Sequence, residues 1–376
     1  MKKIKEEDEE KWSQLPTLLL WMIKDQLTNL VHHFRLGLVC KNWKAANESY
    51  PMKHPQECVV PWLMQRSVLS FHISTECDFV NVFTKEKLIL DRPEFLKADC
   101  LYSKQGWLLL RQKCMIPSQS SVVLLNPHSN AKITMPKPGE WFRRYIASFS
   151  SSPDHGNPEC VVFDVSSTTS KAFYIAFVDG EKWTKHSYED GRRMDSTACL
   201  VVRGHKVYCL GDSGGLFIFD MATLLWGEVT WNPEDCRGKS WIMESEKGEI
   251  MKVERGRNWN TFRFFKMNNG ETGWDELSNS DLDNRSWFIG DVHRNHQLTV
   301  KETGGMKKLY LLTIECVRRK YNKDIVYIYD LKDGTKKSYK PDKDALWVDL
   351  GAIFKVPPSC VGYTPPTLSD EHKQID

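Results

Sequence analysis

Gly211-Asp212-Ser213-Gly214-Gly215 is the segment that most suggests chemistry, because a serine in a G-x-S-x-G or G-D-S-G-G turn can serve as an acyl-transfer nucleophile. Such a serine needs a base. The upstream run Ser196-Thr197-Ala198-Cys199 carries no histidine, and the pentapeptide joins two apolar runs, Val207 to Leu210 and Leu216 to Phe219. Gly and Asp there are what a tight β-turn requires, so a turn is expected and a serine hydrolase using Ser213 is a remote alternative. Gly238-Lys239-Ser240 has the ending of a phosphate-binding loop, but Pro233 stands where that loop needs its first glycine. His293 and His296 have no third ligand close in sequence, and a strand context would turn them to opposite faces. The 11 cysteines run from Cys40 to Cys360 with no C-x-x-C, which points to a reducing compartment rather than a disulfide or zinc framework. No metal or cofactor is expected.

Charge and composition narrow the class. Against 52 Lys and Arg stand 49 Asp and Glu, a balance of +3 that leaves no large field for holding a nucleic-acid backbone. Hydrophobic residues make up 41% and aromatics 11% of the 376 residues, enough for a substantial core. Residues 1–11 are charged throughout and are expected to form a disordered tail, with no apolar stretch of the kind a secretory leader needs. The apolar run Leu18 to Ile23 stops at Lys24, far short of the ~20 residues that span a bilayer. A nuclear or cytoplasmic protein with no membrane partner is the expectation.

The elements that must position any functional group change character along the chain. Leu15, Leu18, Leu19, Met22, Ile23, Leu27 and Leu30 recur at the i, i+3, i+4, i+7 spacing of one helix face, with Ser13 as a candidate cap and Pro16 tolerated in the first turn. Leu36, Val39, Trp43 and Ala46 continue a second helical period until Pro51 and Pro55 end it. A unit spanning 12–55 buries too little surface to stand alone and needs a partner, either the rest of the chain or another protein.

Trp12-Ser13-Gln14-Leu15-Pro16-Thr17-Leu18-Leu19, then Ile23, Leu27 and Val39-Cys40-Lys41-Asn42-Trp43-Lys44, resembles the F-box pattern L-P-x-x-L-L…I…L…R-x-V-C-K-x-W-R. The resemblance covers about 35 residues. Thr17 stands where many F-boxes carry an acid, His32 where an Asp is usual, and Lys44 in place of the final Arg. It implies docking on a Skp-type adaptor and through it on a cullin, with Leu15, Pro16, Leu19, Ile23, Leu27, Val39 and Trp43 holding or forming the docking helices.

Beyond residue 60 the period shortens to β-rich runs separated by Gly, Asn, Asp and Pro. An apolar strand ending in a hydrophobic pair before a polar turn recurs at Val82-Phe83, Leu124-Leu125, Ala176-Phe177, Ile218-Phe219, Phe264-Phe265 and Ile328-Tyr329. The spacings, about 42, 52, 42, 46 and 64 residues, suit one four-stranded propeller blade per repeat. A two-sheet sandwich would use similar strands without the period. Gly106-Trp107-Leu108-Leu109-Leu110, Leu124-Leu125-Asn126-Pro127 with Met135-Pro136, and Val201 to Leu210 resemble plant F-box proteins with a KIB-type β-propeller.

The expected fold is thus mainly β: a small N-terminal α-helical F-box followed by a β-propeller of about six blades, within a range of five to seven, over 60–358, with a C-terminal tail over 359–376. Most of the 14 tryptophans are expected to pack between blades. Arg143, Arg144, Arg192 and Arg193 are weak candidates for contacting an acidic target. The expected role is a non-catalytic substrate-recognition subunit of a ubiquitin ligase, which works by proximity and binds an unidentified target protein. A ligase-independent interaction protein with a degenerate F-box is the alternative.

Overall fold

The computed structural model describes residues 12–26, 36–37, 39–49, 61–66, 74–82, 85–114, 120–127, 131–137, 146–150, 160–166, 171–178, 180–187, 197–211, 214–229, 239–256, 261–283, 285–290, 299–302, 307–317, 321–341 and 344–348. The tails 1–11 and 359–376, Leu27, the two arginine pairs, the His293 and His296 pair and Ser213 lie outside them.

Two helices open the described chain, α1 (Thr17–Gln26) and α2 (Lys41–Glu48), and they pack on each other. Pro16, three residues after Ser13, stands immediately ahead of α1. The Pro16 carbonyl accepts from the Leu19 and Leu20 amides at 2.9 and 3.2 Å, so proline sits just ahead of the helix, where its missing N–H costs nothing.

The remaining described chain forms six sheets. Blade 1 holds β1 (Trp62–Arg66), β2 (Glu76–Val80) and β3 (Lys87–Asp91). Blade 2 holds β4 (Ala98–Lys104), β5 (Trp107–Gln112), β6 (Ser121–Leu125) and β7 (Lys132–Thr134). Blade 3 holds β8 (Ile146–Phe149), β9 (Cys160–Ser166), β10 (Lys171–Phe177) and β11 (Thr184–Ser187). Blade 4 holds β12 (Thr197–Arg203), β13 (Lys206–Gly211), β14 (Leu216–Asp220) and β15 (Leu225–Val229). Blade 5 holds β16 (Ser240–Glu244), β17 (Ile250–Arg255), β18 (Phe262–Met267) and β19 (Trp274–Glu276). Blade 6 holds β20 (Arg285–Ile289), β21 (Thr299–Glu302), β22 (Lys308–Val317), β23 (Tyr321–Asp330) and β24 (Lys336–Tyr339).

The last described strand, β25 (Asp344–Val348), returns to pair antiparallel with β1, Leu63 opposite Trp347, and completes blade 1 as its innermost strand. Neighbouring blades touch through β25 and β4, β4 and β8, β8 and β12, β12 and β16, β16 and β21, and β23 and β25, so the sheets close into a ring. Closure packs each blade against two neighbours and leaves only the short outer edges of the blades unpaired. Blade 6 departs from the pattern: β20 lies between β21 and β22 and runs parallel to β22, the one parallel pairing among the described strands.

The hydrophobic pairs of the repeat fall in the third strands of blades 2 to 5, as at Leu124-Leu125 in β6 and Phe264-Phe265 in β18, and in β23, the fourth strand in order, in blade 6. Gly211-Asp212-Ser213-Gly214-Gly215 links β13 to β14, with the Gly214 amide bonded to the Gly211 carbonyl and Gly214 at φ +89°, a value glycine adopts without strain. The core lies in the seams: one cluster joins blades 6, 1 and 2, another joins 4, 5 and 6, and smaller ones fill the seams between 2 and 3 and between 3 and 4. Trp62, Trp107, Trp241, Trp287 and Trp347 are fully buried there. Trp347 meets Phe288 edge-on at 5.3 Å, which ties the returning strand to blade 6.

Candidate docking site

The helical unit holds itself together with a thin core and four reaching side chains. Leu20, Leu36 and Ala46 are buried. The Trp21 indole donates to the Ala46 carbonyl at 2.8 Å, Lys24 Nζ to the Asn47 carbonyl at 3.3 Å, Asn42 Nδ2 to the Leu15 carbonyl at 2.9 Å, and the Trp43 indole to the Trp12 carbonyl at 2.8 Å. Each bond spans from the first helical segment to the second, so the unit's shape rests on side chains that meet backbone carbonyls at helix ends.

That arrangement turns the apolar stripe of α1 outward. Leu18 is 64% exposed, Leu19 44% and Met22 57%, and Leu20 only 1%. At 100° per residue Leu18, Leu19 and Met22 share one side, whereas Leu20 and Lys24 sit on the other, against α2. Ile23 and Leu15 are half-buried and Pro16 is exposed. Trp43 is half-buried. Val39 corrects the expected second period: it precedes α2, whose first residue follows Cys40 at φ −160°, and it is exposed rather than sharing the buried side of Leu36 and Ala46. Periodicity missed Leu20. Three consecutive leucines leave the wheel ambiguous, and only the position of α2 decides which of them is core.

Nine large hydrophobic side chains are exposed among the described residues, and five of them, Trp12, Leu18, Leu19, Met22 and Val39, lie in this short helical unit. The other four, Ile89, Phe177, Leu224 and Leu225, are spread over blades 1, 3 and 4. Such clustering makes this unit the most apolar exposed patch among the described residues and the candidate contact surface.

The ring supplies charge rather than grease at its turns. The loop after β18 carries Glu271, whose carboxylate accepts from Lys206 Nζ and, at 2.6 Å, from the Tyr208 hydroxyl of blade 4. Burial pushes the Glu271 carboxyl up, but the hydrogen bonds from Lys206 and Tyr208 outweigh it and hold the group below its ordinary value. Burial, then the Glu271 partner, lifts the Tyr208 phenol well above the ordinary tyrosine range. Of the candidate target-contacting arginines, Arg143 and Arg144 fall in the link from β7 to β8, and Arg192 and Arg193 in the link from β11 to β12. Among the described residues no cluster of His, Cys, Asp and Glu has the arrangement of a metal site.

A closed ring of six sheets, preceded in the chain by a helical pair with an outward apolar stripe, defines a β-propeller protein. The KIB1-4 beta-propeller family matches residues 79–337, and the chain belongs to that family. It is 25% identical over 251 residues to the F-box protein At3g56470 of Arabidopsis thaliana, covering 65% of this chain and 64% of that one, so the match spans less than two thirds of that relative's length. It is 28% identical over 290 residues to the F-box/kelch-repeat protein At3g18720 of the same plant, covering 70% of each chain. Among solved structures, the dihydro-heme d1 dehydrogenase NirN is similar at 9% identity and a TM-score of 0.35, over 75% of this chain and 65% of that one, too distant to carry any inference.

Proposed function

We propose that this chain is the substrate-recognition subunit of a Skp-cullin-F-box ubiquitin ligase. The helical unit docks on the Skp-type adaptor, and the propeller holds a target protein within reach of ubiquitin transfer carried out by other subunits. The observation that carries this reading is the outward stripe of Leu18, Leu19 and Met22 with Trp12 and Val39 nearby, on a unit whose own core is Leu20, Leu36 and Ala46. Burying a Leu or Met side chain contributes ~1.5–3 kcal/mol, so a few such anchors suffice for a stable complex. The F-box names of the Arabidopsis relatives support the same partner class.

In this reading the chain makes no bonds itself. It converts a bimolecular encounter between ligase and target into a tethered one, in the nucleus or the cytoplasm. The target-contacting loops are those at one rim of the ring, and Arg143, Arg144, Arg192 and Arg193 remain the sequence candidates for contacting an acidic segment. The test is co-purification of the full chain with a plant Skp-type adaptor and cullin. Capture of both, lost in Leu19→Asp, is the expected result; a folded full chain that captures neither would leave the ligase reading without support.

A further inference from the structure

Lys104 ends β4 at a hairpin whose two-residue loop, Gln105 and Gly106, has both residues left-handed, at φ +49° and +89°. That tight turn fixes where the lysine leaves the ring. Its ammonium donates at 2.7 Å to the carbonyl of Ser150, just past β8 in blade 3, and at 2.7 Å to Oε2 of Glu244, at the end of β16 in blade 5. In a closed ring of six sheets, blades 2 and 5 stand opposite each other, so this pair reaches across the central channel and not along a seam between neighbours. Both side chains are largely covered, 14% exposed at Lys104 and 16% at Glu244. Arg203 closes in from blade 4: its Nε and Glu244 Oε1 lie 3.9 and 3.8 Å from where a β-carbon on Gly248 would sit. The rim ends of four innermost strands therefore gather on one charged knot.

The geometry points to a cross-ring tie: Lys104 and Glu244 bridge opposite blades over one mouth of the channel and make the ring respond as one body. Seams couple each blade only to its neighbours, so a disturbance in blade 2 would otherwise reach blade 5 only through two intervening blades on either side. The tie short-circuits that path, because losing either partner breaks the largely covered ion pair that runs from blade 2 to blade 5.

Amide hydrogen exchange read by mass spectrometry on the full chain tests this. Lys104→Met is expected to speed exchange about tenfold in β16 and the turn over 245–249 as well as in β4, and Glu244→Gln to do the same in β4 from the far side. The double variant Lys104→Met with Glu244→Gln should then show little more than either single change. Acceleration confined to blades 2 and 3 in Lys104→Met, or additive effects in the double variant, would overturn the tie. If Lys104→Met does not fold, Glu244→Gln alone decides, since faster exchange in β4 supports the tie and unchanged exchange in β4 overturns it.

Discussion

Leu19 and Leu20 are neighbours in sequence that should fail in opposite ways. Fully burying a leucine contributes ~1.5–3 kcal/mol, and Leu19 still has 44% of its surface in water, so docking against an apolar partner stands to gain about 1 kcal/mol there. Leu19→Ala should then weaken binding to a Skp-type adaptor about fivefold. Leu19→Asp does more, because a carboxylate facing an apolar partner without a counter-charge costs several kcal/mol, on the order of a thousandfold or more in affinity. Neither change touches the core of the unit. Leu20, at 1% exposure, packs inside, so Leu20→Ala should destabilise the helical unit by ~2–5 kcal/mol, with binding lost only as far as the unit unfolds. Titration calorimetry of the full chain against the adaptor, paired with helical circular dichroism on the same samples, separates the two. Wild-type affinity in a folded Leu19→Asp variant would refute the assignment of the outward stripe.

Three further outcomes follow from the geometry. Trp43→Phe keeps the ring but removes the indole bond to the Trp12 carbonyl, and should lower the stability of the helical unit by at most about 1 kcal/mol, read by thermal circular dichroism. A chain ending after Pro341 loses β25 and bares the edge of β1, so it should aggregate or lose the cooperative melt of the full chain, and an unchanged cooperative melt would deny β25 its closing role; size exclusion and scanning calorimetry read the difference. Glu271 titrates below its ordinary 4.5 in the folded chain, so its stabilisation is complete above that value and is lost as pH falls through the lowered one. The drop in melting temperature from pH 5 to pH 3 should therefore be smaller in Glu271→Gln than in wild type, and an equal drop would remove Glu271 from the acid response.

What was legible in the sequence was whatever is local. The hydrophobic pair before a polar turn recurs once per blade, a matter of side-chain alternation and turn residues, and it returned the blade count. The hairpins at Gly204 and Gly248 were readable for the same reason, and both glycines sit at positive φ, +55° and +74°. The insertion of β20 was not legible. A parallel neighbour such as Ser286 opposite Lys308 is joined by a long connection, and nothing in either strand's composition declares the pairing. The return of β25 to β1 is longer in range still, and Trp347 looks like any strand tryptophan until it is placed beside Phe288.

The same distinction governs the helical unit. Spacing shows that α1 is amphipathic, but an outward apolar side is amphipathic too, and the run Leu18-Leu19-Leu20 satisfies either orientation. Position relative to α2 breaks the tie: the indole of Trp21 and the ammonium of Lys24 are spent on the carbonyls of Ala46 and Asn47, which turns Leu20 in and leaves Leu18, Leu19 and Met22 out. A sequence that merely needed a small stable helical pair could have placed polar residues on that side at no cost to its own packing. Retaining three large apolar side chains there lowers solubility, and the proposed adaptor contact gives them a use. The physical case for a docking partner therefore rests on the direction in which α1 faces.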